Sequence, residues 1–168
     1  MIIHRAYKTR LTPNKKQTEL FVQYAGTARF VFNWALADRI NKYNLGEPTN
    51  YYEQKKRFNA IKRDEAPWIV DTPYTILESA FKNLDLAYQN FFRRIKKGES
   101  PGFPKFKSRK YGLGSFSFRG CIHAEKSWIK LPIIGWIKLA EKGYLPTGNV
   151  KILKATVSHR GEYWIISL

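Results

Sequence analysis

"IIHRAYKTRLTP", residues 2–13, decides how the rest of the chain is read. Residues two apart share a side through this stretch. Ile3, Arg5, Tyr7, Thr9 and Leu11 form one face of an expected strand, and Ile2, His4, Ala6, Lys8 and Arg10 form the other. Thr12-Pro13 then reads as a helix N-cap followed by proline at the first helical position. The chain therefore opens with a strand and turns at once to helices.

Leu20, Phe21 and Tyr24 recur at helical spacing, and Gly26 is expected to break or bend that run. A second helical segment carries Phe30, Val31, Trp34, Ala35, Ala37 and Ile40 to about Tyr43, and residues 44–48 form a turn. Asn50-Tyr51-Tyr52-Glu53 has capping-box spacing, with Phe58 and Ile61 on the apolar face that follows. The longest apolar stripe starts after Asp71-Thr72-Pro73 and runs through Ile76, Leu77, Ala80, Leu84, Ala87, Tyr88, Phe91 and Ile95. Arg93, Arg94, Lys96 and Lys97 meet the negative pole of that helix, and Gly98 stops it.

After residue 114 the period becomes two. Strands are expected at 115–118, 128–131, 136–139, 150–158 and 162–168. WIKL occurs twice, as Trp128–Leu131 and Trp136–Leu139, joined by Pro132 to Gly135. The opening strand should pair with these late strands. The expectation is an α+β fold: a small antiparallel β-barrel with a helical bundle inserted after its first strand. In segments, that gives a first strand at 1–11, a helical insertion at 12–98, a basic linker at 99–114 and the rest of the barrel at 115–168.

The 168 residues are 43% apolar and 15% aromatic, enough for a packed core. Thirty Lys and Arg against thirteen Asp and Glu give a net charge of +17. Such an excess points to a polyanionic partner, nucleic acid first and an anionic membrane surface second. No 18-residue apolar run, signal peptide or lipidation motif favours the membrane. The single cysteine, Cys121, reads as a small strand residue and fits a reducing cytoplasm, with association to the nucleoid expected.

No catalytic constellation stands out. The carboxylates are scattered, Asp64-Glu65 reads as a solvated helix end, and His4, His123 and His159 lack neighbours at metal-ligand spacing. No cofactor is expected on these residues. Basic and aromatic side chains instead interleave: between Arg93 and Lys110 lie eight basic residues and one acid, Glu99. Phe103 and Phe106 are read as anchors of a loop, while Arg93, Lys97, Lys105, Lys107, Arg109 and Lys110 are read as phosphate contacts. Lys8 and Arg10 on the opening strand join that set. Tyr51-Tyr52 and Tyr74-Thr75, at two helix amino ends, suit a phosphate or a base edge. The helices around Gly26 offer a rival, a helix-turn-helix of a stand-alone DNA-binding regulator or transposition accessory protein, with Arg29 and Arg39 as its contacts. The apolar character of residues 29–40 (RFVFNWALADRI) speaks for core packing instead.

Taken in order, YKTRLTP (7–13) with Gln17, GTARFVFNW (26–34), Pro67-Trp68, LDLAYQNFFR (84–93), GFPKFKS (102–108), the Ser-Phe pairs at 115–118 and LPIIG (131–135) form a specific series. The chain resembles, over essentially its whole length, the amino-terminal part of TnpB (OrfB), the RNA-guided nucleases of bacterial and archaeal insertion sequences related to type V CRISPR effectors. The resemblance implies a wedge barrel akin to oligonucleotide-binding barrels, interrupted by a helical recognition module. Together these would grip guide RNA, the guide–target heteroduplex and the motif flanking double-stranded target DNA. It also implies that cleavage belongs to a RuvC-like domain using magnesium, with an inserted zinc ribbon, neither among these residues. The missing nuclease domain or a second copy is the implied protein partner. Motif reading would fall to Tyr51, Tyr74, Thr75 and Glu78, with Arg119 and Gly120. Glu78 departs from the glutamine of many relatives, and a carboxylate can accept from cytosine N4.

Overall fold

The structure, a computed structural model, describes residues 2–168. Seven strands and three α-helices follow the order β1 (Lys8–Thr12), α1 (Lys15–Asn44), α2 (Tyr51–Glu65), α3 (Tyr74–Lys96), β2 (Ser115–Arg119), β3 (His123–Ala124), β4 (Trp128–Leu131), β5 (Gly135–Leu139), β6 (Lys154–Arg160) and β7 (Tyr163–Ser167). Short 3₁₀ turns occupy Pro67–Ile69 and Arg109–Tyr111. Two compact units result: residues 2–26 with 109–168, and residues 27–108.

In the first unit the strands form one antiparallel sheet in the order β2-β6-β7-β1-β5-β4-β3. The opening strand does pair with the late ones, Lys8–Leu11 against Trp164–Ser167 and Leu11–Thr12 against Lys138–Leu139. The α+β class holds, but the barrel is loose: the sheet is not closed, and β2 and β3 are its two edges. The opening strand is also shorter than its alternation. Tyr7 still exchanges two backbone hydrogen bonds with Leu168, yet upstream the chain joins no strand and Ile2 and Ile3 are 87% and 62% exposed. Alternation without a neighbour to pair with does not make a strand.

The two WIKL copies pair with each other, Ile129 opposite Ile137 and Trp128 opposite Lys138. Ile and Leu of both copies are buried, while Trp and Lys face outward. Their reversal is tight, with Ile133 and Gly135 both at positive φ (67° and 83°) and an Ile134 N–H to Pro132 carbonyl bond of 2.8 Å. Phe21 and Tyr24 of α1 pack on the inner face, Phe21 within 5.0 Å of Trp164 and 5.5 Å of Phe116, Tyr24 within 5.7 Å of Phe116, measured between ring centroids.

Two expectations for the first helix are corrected. The cap is Asn14, not Thr12: Asn14 Oδ1 accepts from the Gln17 N–H and Gln17 Oε1 from the Asn14 N–H, a reciprocal capping box. Thr12 is held by the sheet, its hydroxyl donating to the Lys138 carbonyl at 3.2 Å. Nor does Gly26 break the helix, for α1 runs unbroken through 30 residues. A helical glycine costs about 1 kcal/mol, less than the burial of Phe21, Tyr24, Ala25, Ala28 and Val31 on either side of it returns.

In the second unit the later turns of α1 pack with α2 and α3 around Val31, Leu36, Phe58, Leu77, Phe81 and Leu84. Asn50 caps α2 by accepting from the Tyr52 and Glu53 N–H groups, as its spacing indicates. The start of α3 has Pro73 at the cap position without a side-chain bond. Its end is a Schellman motif: Gly98 sits at φ 68°, its N–H bonded to the Ile95 carbonyl and that of Glu99 to the Arg94 carbonyl. The three helices are pinned by a polar network. Arg39 reaches Gln54 and Asp85, Gln54 donates to the Ala35 carbonyl and Asp38, and Arg57 makes two bonds to Asp38.

Candidate nucleic-acid interface

Charge is divided unevenly between the units. Fifteen basic and four acidic residues fall in residues 1–26 and 109–168, against fifteen and nine in residues 27–108. Several acids of the helical unit are also engaged internally: Asp38 with Arg57, Asp85 with Arg39, Glu47 with Lys42, Glu78 with Lys55 and Lys82.

Tyr51, Tyr74 and Glu78 come together at the amino ends of α2 and α3, around two lysines that sequence reasoning passed over. Tyr51 Oη donates to Glu78 Oε1 at 2.9 Å, and the same oxygen receives Lys55 Nζ at 3.3 Å and Lys82 Nζ at 3.4 Å. Lys55 Nζ also lies 4.8 Å above the Tyr51 ring and 5.4 Å above that of Tyr74. Burial alone would raise the Glu78 carboxyl, but the Tyr51 hydroxyl and the two ammoniums outweigh it and hold its pKa below the usual carboxylate range. Burial would lower Lys55, but hydrogen bonding by Tyr74, Tyr51 and Glu78 pushes it above the usual lysine range. Both groups stay charged at neutral pH, and exposed Tyr52 and Tyr74 leave ring faces beside them. Glu78 Oε1 is thus engaged within the protein. Thr75 follows Tyr74 at the same helix end, but its buried hydroxyl has no hydrogen-bond partner among the described residues. Lys55 follows Tyr51, and Lys82 follows Glu78, by four residues, the one spacing that could have flagged them.

The stretch Gly102 to Lys110 spans both units. Phe103 anchors it as expected, its ring edge-on to Tyr88 and Phe91 at 5.6 and 5.4 Å. Phe106 does not: it is 57% exposed. The second anchor is Asn33, which sequence reasoning missed as a functional residue. Its amide donates to the Lys107 carbonyl and accepts from the Lys107 N–H, both at 2.8 Å. That pins Lys107, whose ammonium lies 4.0 Å over the Phe32 ring, where desolvation lowers its pKa. Lys105, Arg93 and Lys97 are exposed in the same unit. Arg109 and Lys110 belong to the other unit and line a cleft of about 600 Å³ with Tyr111, His159, Arg160 and Gly161.

Also in the first unit, Lys8 and Arg10 project from the solvent side of β1, with the Arg10 guanidinium 4.1 Å over the Tyr163 ring. Arg119 ends β2 opposite Lys154, whose pKa is lowered by desolvation and by Arg119. Gly120 follows at φ 71°, just past the end of β2. Among the described residues no group of three or more His, Cys, Asp or Glu is placed to hold a metal ion. Among the described residues no helix is long and apolar enough to cross a membrane.

These features define a class: an α+β protein with an open antiparallel sheet, a helical unit inserted through its first helix, and basic–aromatic surfaces. The family model described as a helix-turn-helix domain matches residues 1–48, which hold β1, all of α1 and the start of the turn leading to α2. A protein of Escherichia coli (strain K12) named "Putative RNA-guided DNA endonuclease InsQ" is 32% identical over 167 residues, covering 98% of this chain and 40% of that protein. A "Putative RNA-guided DNA endonuclease" of Streptomyces pristinaespiralis is 27% identical over 177 residues, covering 99% of this chain and 41% of that protein. The chain spans about two fifths of the length of these curated relatives. These matches agree with the resemblance to the TnpB (OrfB) proteins of insertion sequences.

Proposed function

We propose that this chain is the nucleic-acid-binding portion of an RNA-guided DNA endonuclease, holding guide RNA and double-stranded target DNA mainly through backbone phosphates. The observation that carries this reading is the net charge of +17, the excess that remains after all thirteen carboxylates are counted. The names of the two relatives agree with it. Residues 1–11 and 115–168 act as the wedge domain and 12–98 as the recognition module. Lys8, Arg10, Arg93, Lys97, Lys105, Arg109 and Lys110 take phosphates. Tyr51, Tyr74 and Arg119 contact the motif flanking the target, and Glu78 orients Tyr51, Lys55 and Lys82. Cleavage chemistry, with its magnesium, lies outside these residues.

The rival reading, a regulator using a helix pair at Gly26, loses its geometry because α1 is continuous there. Arg39 is tied to Gln54 and Asp85 with only 14% of its side chain exposed, so it has no reach toward DNA.

The test is binding of the chain to a structured RNA and to duplex DNA as salt is varied, with Lys105→Glu, Arg109→Glu and Lys110→Glu combined. Removing a basic side chain from one phosphate should lower the slope of log K against log salt by about 0.7–0.9, so the triple variant should bind RNA more weakly with a slope about 2–3 smaller. Unchanged affinity and slope would sink the proposal. So would tight, sequence-selective duplex binding without RNA at about 0.2 M salt, where phosphate contacts alone are weak.

A further inference from the structure

None of the 33 residues in the seven strands is acidic; the nearby carboxylates Glu125, Glu141 and Glu162 lie in turns. The pleat sorts what remains. One face, with Leu11, Ile129, Leu131, Ile137, Leu139, Val157 and Ile166, is buried. On the other, register sets each tryptophan of the WIKL repeat against a lysine of the opposite copy, Trp128 beside Lys138 and Lys130 beside Trp136. Directly opposed side chains are about 5 Å apart at Cβ, and Lys130 Nζ lies 5.9 Å from the Trp136 ring centre. Arg10 and Tyr163 repeat the pairing on β1 and β7 at 4.1 Å. Trp128, Trp136 and Tyr163 remain 42%, 40% and 49% exposed. A duplicated four-residue sequence folded back on itself has made a chequerboard of rings and cations.

We infer that this carboxylate-free outer face of the sheet is a binding platform for a single-stranded polynucleotide. Unpaired bases stack on Trp128, Trp136 and Tyr163, and phosphates lie against Arg10, Lys130 and Lys138. The inference rests on the nucleic-acid reading above and adds the strand state and the contact chemistry. Two arguments select this occupant. The face is uniformly cationic, which repels an acid-poor, basic partner and attracts a polyanion. Its rings stand beside cations instead of filling a groove, and a duplex, whose bases are stacked on each other, offers them no π-face.

The test uses the 168-residue chain with a mixed-sequence single-stranded RNA or DNA of about 15 nucleotides, a length within the range such surfaces engage. Binding is followed by anisotropy and by tryptophan fluorescence. Trp136→Leu and Trp128→Leu should each weaken binding by about tenfold or more, the loss of one base–aromatic stack, while Trp136→Phe should retain most of it. Thermal melting checks that each variant is folded. Quenching by the oligonucleotide should fall in both leucine variants, and whichever of RNA or DNA binds tighter names the strand. Three results would overturn the inference: leucine variants of unchanged affinity, inorganic polyphosphate of matched charge binding as tightly, or duplex preferred to single strand. If the variants behave as wild type while structured RNA still binds, the platform fails and the proposed function stands. If no nucleic acid binds, the function itself fails.

Discussion

Glu78 shows how a single side chain can be misread from its type. As a lone carboxylate on a basic surface it suggests an acceptor for a base; in place, one of its oxygens receives Tyr51, Lys55 and Lys82. Its pKa is held below the ordinary glutamate value, so its stabilising contribution is complete above about pH 4.3, the unfolded value. The contribution disappears as pH falls through the lower folded value. Glu78→Gln should therefore cost about 1 kcal/mol at pH 7, because two ammoniums then face each other without a counter-charge. Melting curves of the two proteins should converge in acid, once pH has fallen through the lowered folded value. A gap that persists there would mean that shape, not charge, matters at this position. At the same scale, Asn50 and Gly98 were legible because capping depends on residues within one turn. Asn14 was not, since whether Thr12 or Asn14 caps α1 depends on where β1 pairing to Lys138 ends.

Among the elements, α1 departs most from its sequence pattern. Gly26 marks the point where the helix leaves one compact unit and enters the other, yet the hydrogen-bonded run does not stop. Gly26→Pro tests that continuity. Proline there removes an N–H and strikes the Val22 carbonyl, costing about 3 kcal/mol or more, which corresponds to a Tm lower by roughly 6–12 °C. Proline tolerated with a loss under about 1 kcal/mol would place a turn at Gly26 after all. Strands behaved differently. Their alternation was visible wherever one face is buried, including both WIKL copies, but β3 is only two residues long and escaped. Residues 150–153, expected to open a strand running to 158, do not join the sheet.

For the molecule as a whole, +17 in 19.7 kDa is the governing number. Self-repulsion at that density opposes the folded state and is screened within about 10 Å at 0.1 M salt. Raising sodium chloride from about 0.02 M to about 0.5 M should thus raise the Tm by several degrees. A flat or falling Tm would show the charges to be already balanced. The same salt should weaken nucleic-acid binding, so stability and affinity should move in opposite directions.

By itself the sequence determined what depends on near neighbours and on totals: the change from period 3.6 to period 2, the helix stops, and the charge that demands a polyanion. The tertiary structure alone decided that the sheet stays open, that Gly26 lies inside a helix, and which groups converge. Tyr51 meets Glu78 across 27 residues and Asn33 clamps Lys107 across 74. Local rules fix what a residue can do, but a contact between distant residues exists only once packing has chosen their neighbours.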